Sequence, residues 1–136
     1  MRIYILLMMA IGACPAQEDH SGPEKAMVYV YRERAFVGNL RKMPIFMDEI
    51  QIGDLVNGRY FKAELNPGKH VFRCRTKIEA IPVELIAGQD YYLRAELIQG
   101  ALKNHWRIIQ VMRDQGKSDI ARLKPLDEKY VSPVAR

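Results

Sequence analysis

From Ala26 onward, apolar and polar residues alternate with the period-two spacing of strands, in short runs cut by turn residues. Met27-Val28-Tyr29-Val30-Tyr31 is a β-branched and aromatic run. Pro44 to Asp48 and Ile50 to Leu55 flank a short turn at Asp48-Glu49. Tyr60 to Leu65 alternates and stops at Asn66-Pro67-Gly68, the strongest turn signal in the chain. His70 to Lys77, Ile81 to Ile86, Tyr91 to Leu97 and Trp106 to Val111 bring the predicted set to about eight strands, with Ala87-Gly88-Gln89-Asp90 as a further turn.

Regular spacing without helical segments between the strands predicts an all-β fold, a single antiparallel β-sandwich of about eight strands with hairpin connections. Only the C-terminal part reads as helical. Asp114 is a candidate cap, Ile120 and Leu123 are spaced to face the sheet, and Pro125 ends the helix. The alternation also assigns faces. Phe72 and Cys74 share one side of their strand, and Arg73, Arg75 and Lys77 the other; Tyr29 and Tyr31 lie opposite Val28 and Val30, so the first strand is expected to be central. The predicted core is Val28, Val30, Phe46, Ile52, Phe61, Leu65, Phe72, Cys74, Leu93 and Ile109. Residues 26–124 form the expected domain and 125–136 a tail, loose from Tyr130 on.

The N-terminus bears on compartment. Arg2 precedes an uncharged apolar stretch, Ile3 to Ala13, which is too short to span a bilayer and suits the h-region of a secretory signal peptide over residues 1–13. Cys14 to Pro23 is polar and bounded by prolines, as in a tether, here taken as 14–25. Ile11-Gly12-Ala13-Cys14 resembles a bacterial lipobox, which makes Cys14 the expected lipidation site; cleavage after Ala16 is the alternative. Cys74 is then a lone buried thiol, unless it pairs with Cys14 in an oxidising compartment.

A resemblance follows from these residues. Val28-Tyr29-Val30-Tyr31-Arg32 with Phe36-Val37-Gly38, Gly53-Asp54-Leu55 with Asn57-Gly58-Arg59-Tyr60, Leu65-Asn66-Pro67-Gly68-Lys69-His70, and Gly88-Gln89-Asp90-Tyr91-Tyr92-Leu93-Arg94 together resemble the bacterial family catalogued as domain of unknown function 2846. The resemblance runs from Ala26 to about Leu123. Its turn logic is also similar to that of PEGA-type surface domains. It implies a transthyretin/PEGA-like sandwich and an envelope location, and it brings no catalytic residues with it. The family usually has Asp-Gly where this chain has Asp48-Glu49, so the type of that turn is left open.

Composition narrows the chemistry. The chain of 136 residues is 49% hydrophobic and 27% charged, the balance of one globular domain. Its formal charge of +5 and pI of about 9.3 are mildly basic. Nucleic acid is not expected as a partner of an exported chain. The most uneven charge cluster, Arg59, Lys62, Lys69, Arg73, Arg75 and Lys77 against Glu64, suggests contact with an anionic lipid or glycan surface, with Arg73, Arg75, Lys77, Lys62 and Arg59 as the candidate surface-binding residues. The bland reading is the solvated face of a sheet. The aromatic set Tyr29, Tyr31, Tyr60, Phe61, Tyr91, Tyr92 and Trp106 suggests a stacking platform or simply a core.

No catalytic residue, metal set or cofactor motif is legible. His20, His70 and His105 lack metal-motif spacing, no serine sits in a nucleophile elbow, and no phosphate-binding glycine loop is present. A hydrolase would require His70 or His105 within reach of a buried carboxylate. The expected function is an envelope-tethered, non-catalytic binding or assembly module acting on an envelope protein or an anionic surface. A periplasmic glycan or small-molecule binder with an aromatic cleft is the alternative. Charge and aromatic residues point to these two separately.

Overall fold

The computed structural model describes residues 24–36 and 41–136. The signal segment 1–13, Cys14, His20 and the tether up to Pro23 lie outside the described residues. The elements run β1 (Ala26–Tyr31), β2 (Met43–Met47), β3 (Ile50–Leu55), β4 (Arg59–Leu65), β5 (Gly68–Arg73), β6 (Ile81–Leu85), β7 (Asp90–Ile98), β8 (His105–Val111), α1 (Arg113–Ala121) and a short β9 (Lys124–Pro125). Every strand expected from the alternation is present. No helix among the described residues is long and apolar enough to cross a membrane.

The strands form two sheets, ordered β8-β7-β1-β4-β9 and β3-β2-β5-β6. Chain-adjacent strands pair within a sheet at β2–β3, β5–β6 and β7–β8. The connections β1–β2, β3–β4, β4–β5 and β6–β7 pass from one sheet to the other, while β8 reaches β9 of its own sheet through α1. Asn66-Pro67-Gly68, the strongest turn signal, therefore carries the chain between sheets, with Gly68 at φ 122.

The expectation of a purely antiparallel fold is corrected. β1 is central, as its two apolar faces imply, but it pairs β4 antiparallel and β7 parallel, with Val30 opposite Phe61 on one side and Leu93 on the other. β4 also takes β9 in parallel. Parallel neighbours need a long connection; between β1 and β7 it runs through β4 and the strands of the second sheet, and between β4 and β9 it includes α1.

Buried side chains from both sheets form one cluster that includes Val28, Val30, Ile45, Ile52, Phe61, Leu65, Phe72, Cys74, Leu93 and Ile108. Two core expectations are overturned. In β2 the buried set is Met43, Ile45 and Met47, which turns Phe46 outward beneath the Arg73 guanidinium, 4.0 Å from its ring centre. In β8 the inward isoleucine is Ile108, because it lies opposite buried Ala95, while Ile109 lies opposite Arg94 on the other face.

Asp48 and Glu49 adopt φ of 49° and 67°, the left-handed pair of a type I′ turn, although neither is glycine. Side-chain ties hold that turn. Asp48 Oδ1 accepts the Val71 N–H at 2.8 Å, and Asp48 Oδ2 meets His70 Nδ1 at 2.5 Å. Glu49 accepts from Arg73 Nε at 3.1 Å and Nη2 at 2.9 Å.

The helix begins at Arg113 without a side-chain cap, and Asp114 lies in its first turn rather than at the cap. Gly116 and Asp119 are the helix residues that are buried, and the expected Ile120 and Leu123 are half-buried. A Cβ on Gly116 would collide with the ring of Tyr92, so only glycine lets the helix lie this close to the sheet. Tyr92 in turn stacks on Tyr29, ring centres 4.9 Å apart.

The tail beyond Tyr130 is not loose. Val131 bridges Gly53, Ser132 N–H donates to the Ile52 carbonyl at 3.0 Å, and Ala135 is buried in the core cluster.

Candidate functional site

The expected basic cluster does not come together. Arg59 and Lys62 lie on β4, in the first sheet, whereas Arg73 lies on β5 in the second, and Arg75 and Lys77 follow that strand. Arg73 does point away from Phe72 and Cys74, as the alternation requires, but it is only 7% exposed. Its guanidinium is held by Glu49, the Phe46 ring and the carbonyls of Cys74 and Arg75. Lys77 sits 3.6 Å from the same Glu49 carboxylate. These pairings hold Glu49 below the usual carboxylate range, the hydrogen bond from Arg73 being the main cause.

Charge instead gathers at one end of the fold, around Trp106. Antiparallel pairing of β2 with β5 places the entry to β2 beside the exit of β5. Arg41, Lys42 and Met43 therefore meet Arg75 and Thr76. β8 enters at the same end, bringing Lys103, Asn104, His105 and Trp106, with Leu97 of β7 opposite Trp106. Together they line an open cleft of about 460 Å³. Met43, Leu97 and the indole supply an apolar floor; Arg41, Arg75 and Lys103 supply the rim, and Lys42 lines the cleft with its ammonium 4.3 Å over the Tyr130 ring. Among the described residues none of those four cations is in a salt bridge with a carboxylate. The acid at this end is Glu79, 3.0 Å from His105 Nε2.

A second cleft of about 530 Å³ shares Trp106 and Leu97 and is lined by Arg32, Glu33, Arg34, Arg94, Glu96 and Gln99 among others. Its charges are largely compensated. Arg94 lies 3.3 Å and Arg107 2.6 Å from Glu96, and Arg94 lies 3.6 Å from Asp119. Between the clefts, the buried Arg32 guanidinium stacks 4.4 Å over the Trp106 ring and donates to the Arg41 carbonyl at 2.7 Å. Burial pulls Arg32 below its ordinary pKa.

Charge and aromatic surface were expected to point to different sites. The structure joins them, since Arg75 and Trp106 line one cleft. Arg41, Lys42 and Lys103 were not legible as partners. Each precedes a strand rather than lying in one, and only the sheet topology places strand entries β2 and β8 beside the exit of β5.

Both described histidines have carboxylate partners, an exposed one for His70 and a half-buried one for His105. Asp48 beside His70 has a side chain 41% exposed, and Glu79 beside His105 one 36% exposed. His70 Nε2 is also taken, by the Asn66 carbonyl at 2.7 Å. Cys74 is a free, buried thiol, and burial pushes its pKa up to about 12, away from nucleophilic thiolate. Among the described residues no group of three or more His, Cys, Asp or Glu side chains is arranged to hold a metal.

The sequence profile of a family described as "Protein of unknown function (DUF2846)" matches residues 23–105. An "Uncharacterized protein" of Haemophilus influenzae is 24% identical over 120 residues, spanning 85% of this chain and 71% of that protein. No solved structure matches the chain.

Proposed function

The chain belongs to the DUF2846 family, and from that premise we propose that it is an exported, lipid-anchored envelope protein whose folded part is a non-catalytic binding module. In this reading the two sheets pack face to face as a β-sandwich of about eight strands, and residues 1–13 are removed as a signal peptide. Cys14 carries the lipid, and 14–25 tethers the domain to the membrane.

One observation carries the binding role: cations without carboxylate partners among the described residues converge with an apolar floor on the Trp106 cleft, whereas Arg73, Arg94 and Arg107 are paired. Its volume lies within the range of small-molecule sites. That favours a small-molecule or glycan ligand held in a cleft over the flat presentation of a sheet face to a partner protein.

Trp106 is the sole tryptophan, so its emission reports directly on the cleft. Soluble glycan and lipid fractions prepared from bacterial envelopes should shift that emission saturably, and Lys103→Glu with Arg75→Glu should remove the shift. Unchanged emission with every fraction would overturn the binding role. Mass spectrometry of the mature chain tests the anchor: a diacylglyceryl adduct on Cys14 is expected, and a mature chain that retains Arg2 overturns export.

A further inference from the structure

We infer that the Trp106 cleft takes an amphipathic anion, a small molecule with a phosphate, sulfate or carboxylate head on an apolar body; this rests on the binding-module reading and names its ligand class. Each half of that ligand answers to a different part of the wall. Met43 and Leu97 with the indole offer an apolar floor with no charge to solvate, which an inorganic anion leaves unused. Arg41, Arg75 and Lys103 surround the mouth, and a neutral apolar ligand would leave them unused.

What marks this cleft is that cations without a carboxylate partner among the described residues converge on one apolar depression. Arg73, Arg94, Arg107 and Arg122 each lie against a carboxylate. The rim cations do not, among the described residues, and gathering like charges around one depression is electrostatically unfavourable until an anion enters. Partial enclosure by low-dielectric walls strengthens that attraction over its value at an open surface. The floor is also rigid. Arg32 is stacked behind Trp106 and tied to the Arg41 carbonyl, so the indole is braced from the far side and its position is coupled to the start of the rim. Small-molecule sites share this plan, mostly apolar walls with a few placed polar groups.

The test uses the full chain carrying Cys14→Ala, which cannot be acylated, with Trp106 emission and titration calorimetry as readouts. The probes are decyl phosphate below its micelle concentration, inorganic phosphate, and decyl maltoside, which has the same tail and a neutral head. Decyl phosphate should bind saturably, at least tenfold more tightly than either control, and more weakly as salt rises. Arg75→Glu with Lys103→Glu should weaken it at least tenfold without moving the urea midpoint; if that variant is destabilised, Lys103→Gln alone should still weaken binding and reduce its salt dependence. Vesicles of phosphatidylglycerol form a separate arm. Binding to vesicles with no response to monomeric decyl phosphate would overturn a cleft ligand in favour of a membrane surface. Equal affinity for all three soluble probes, or charge reversal without effect, also overturns the proposal. If decyl phosphate fails while a glycan fraction still shifts Trp106, the ligand class falls and the binding module stands; silence toward both removes both.

Discussion

The Tyr31 hydroxyl donates to Asp119 Oδ2 across 2.5 Å, joining the central strand to the one α-helix among the described residues. Both groups are almost fully buried. Asp119 also accepts from Gln115 at 2.7 Å and from Arg122 at 2.9 Å, both on Oδ1. Burial and then the bond to Asp119 hold the Tyr31 hydroxyl well above its ordinary pKa. The pair acts as a polar rivet through which the helix is fixed to the sheet. Tyr31→Phe should cost about 1.5 kcal/mol, because Asp119 keeps its other donors. Asp119→Ala should cost about 3 kcal/mol, since it strands a buried hydroxyl and removes the helix's main tie. In a double-mutant cycle by urea denaturation, the double variant should lose less than the sum; strict additivity would show that the bond carries no coupling.

Acid should loosen the same contact. Burial works to raise the carboxyls of Asp119 and Asp48, but hydrogen bonds outweigh it, from Tyr31, Gln115 and Arg122 to the first and from His70 and Val71 to the second. Both therefore titrate below the ordinary range in the folded chain. A depressed folded pKa gives stabilisation that is complete above the unfolded value of about 4 and is lost as pH falls through the folded one. Urea midpoints should be level near neutrality and fall below about pH 4. Asp119→Asn should be less stable at pH 7 with a shallower acid limb, and an acid limb identical to that of the parent would remove Asp119 from the explanation.

Gly116→Ala tests the close approach of helix and sheet. Alanine favours an exposed helix by about 1 kcal/mol over glycine. Here its methyl would land on the Tyr92 ring, which is pinned on its other side by Tyr29. Overpacking of this kind costs about 1–3 kcal/mol, so the net change should be a loss. A rise in thermal midpoint would mean that the helix can shift away at little cost.

The docked tail should matter for stability. Deleting 131–136 removes the Val131–Gly53 bridge, the Ser132 bond to the Ile52 carbonyl and buried Ala135. A loss of about 2 kcal/mol is expected from the lost bonds and apolar burial together. An unchanged urea midpoint would restore the reading of a loose tail.

In the Cys14→Ala chain, Cys74 is the sole thiol. Buried and with its pKa pushed up to about 12, it should react with a thiol reagent such as DTNB at pH 8 only as the protein unfolds. Labelling that is fast in water and unaffected by urea would contradict its place in the core.

Strand positions were legible because alternation and turn residues are local properties of the chain. What was not legible depended on neighbours. Ile108 and Ile109 read alike, and only the pairing of Ala95 with Ile108 decides which one enters the core. Phe46 looks like a core residue until Arg73 is seen lying over it from the adjacent strand. The glutamate in the turn at Asp48-Glu49 left its type open because the ties that hold it come from His70, Val71 and Arg73, more than twenty positions away. Of the candidate site, Trp106 and Arg75 were visible in separate lists of aromatic and basic residues, and topology alone brought them to one cleft.

The parallel pairing of β1 with β7 also sets an order of events in folding. The central strand cannot gain its second neighbour until the chain has been made as far as Leu93, with all of the second sheet lying between. Closing so long a loop carries an entropic cost before any contact repays it, so the assembly step should be slow and late. A chain interrupted anywhere before β7 would leave β1 with at least one bare edge and no finished core, and would be a target for proteases or self-association rather than a smaller working domain.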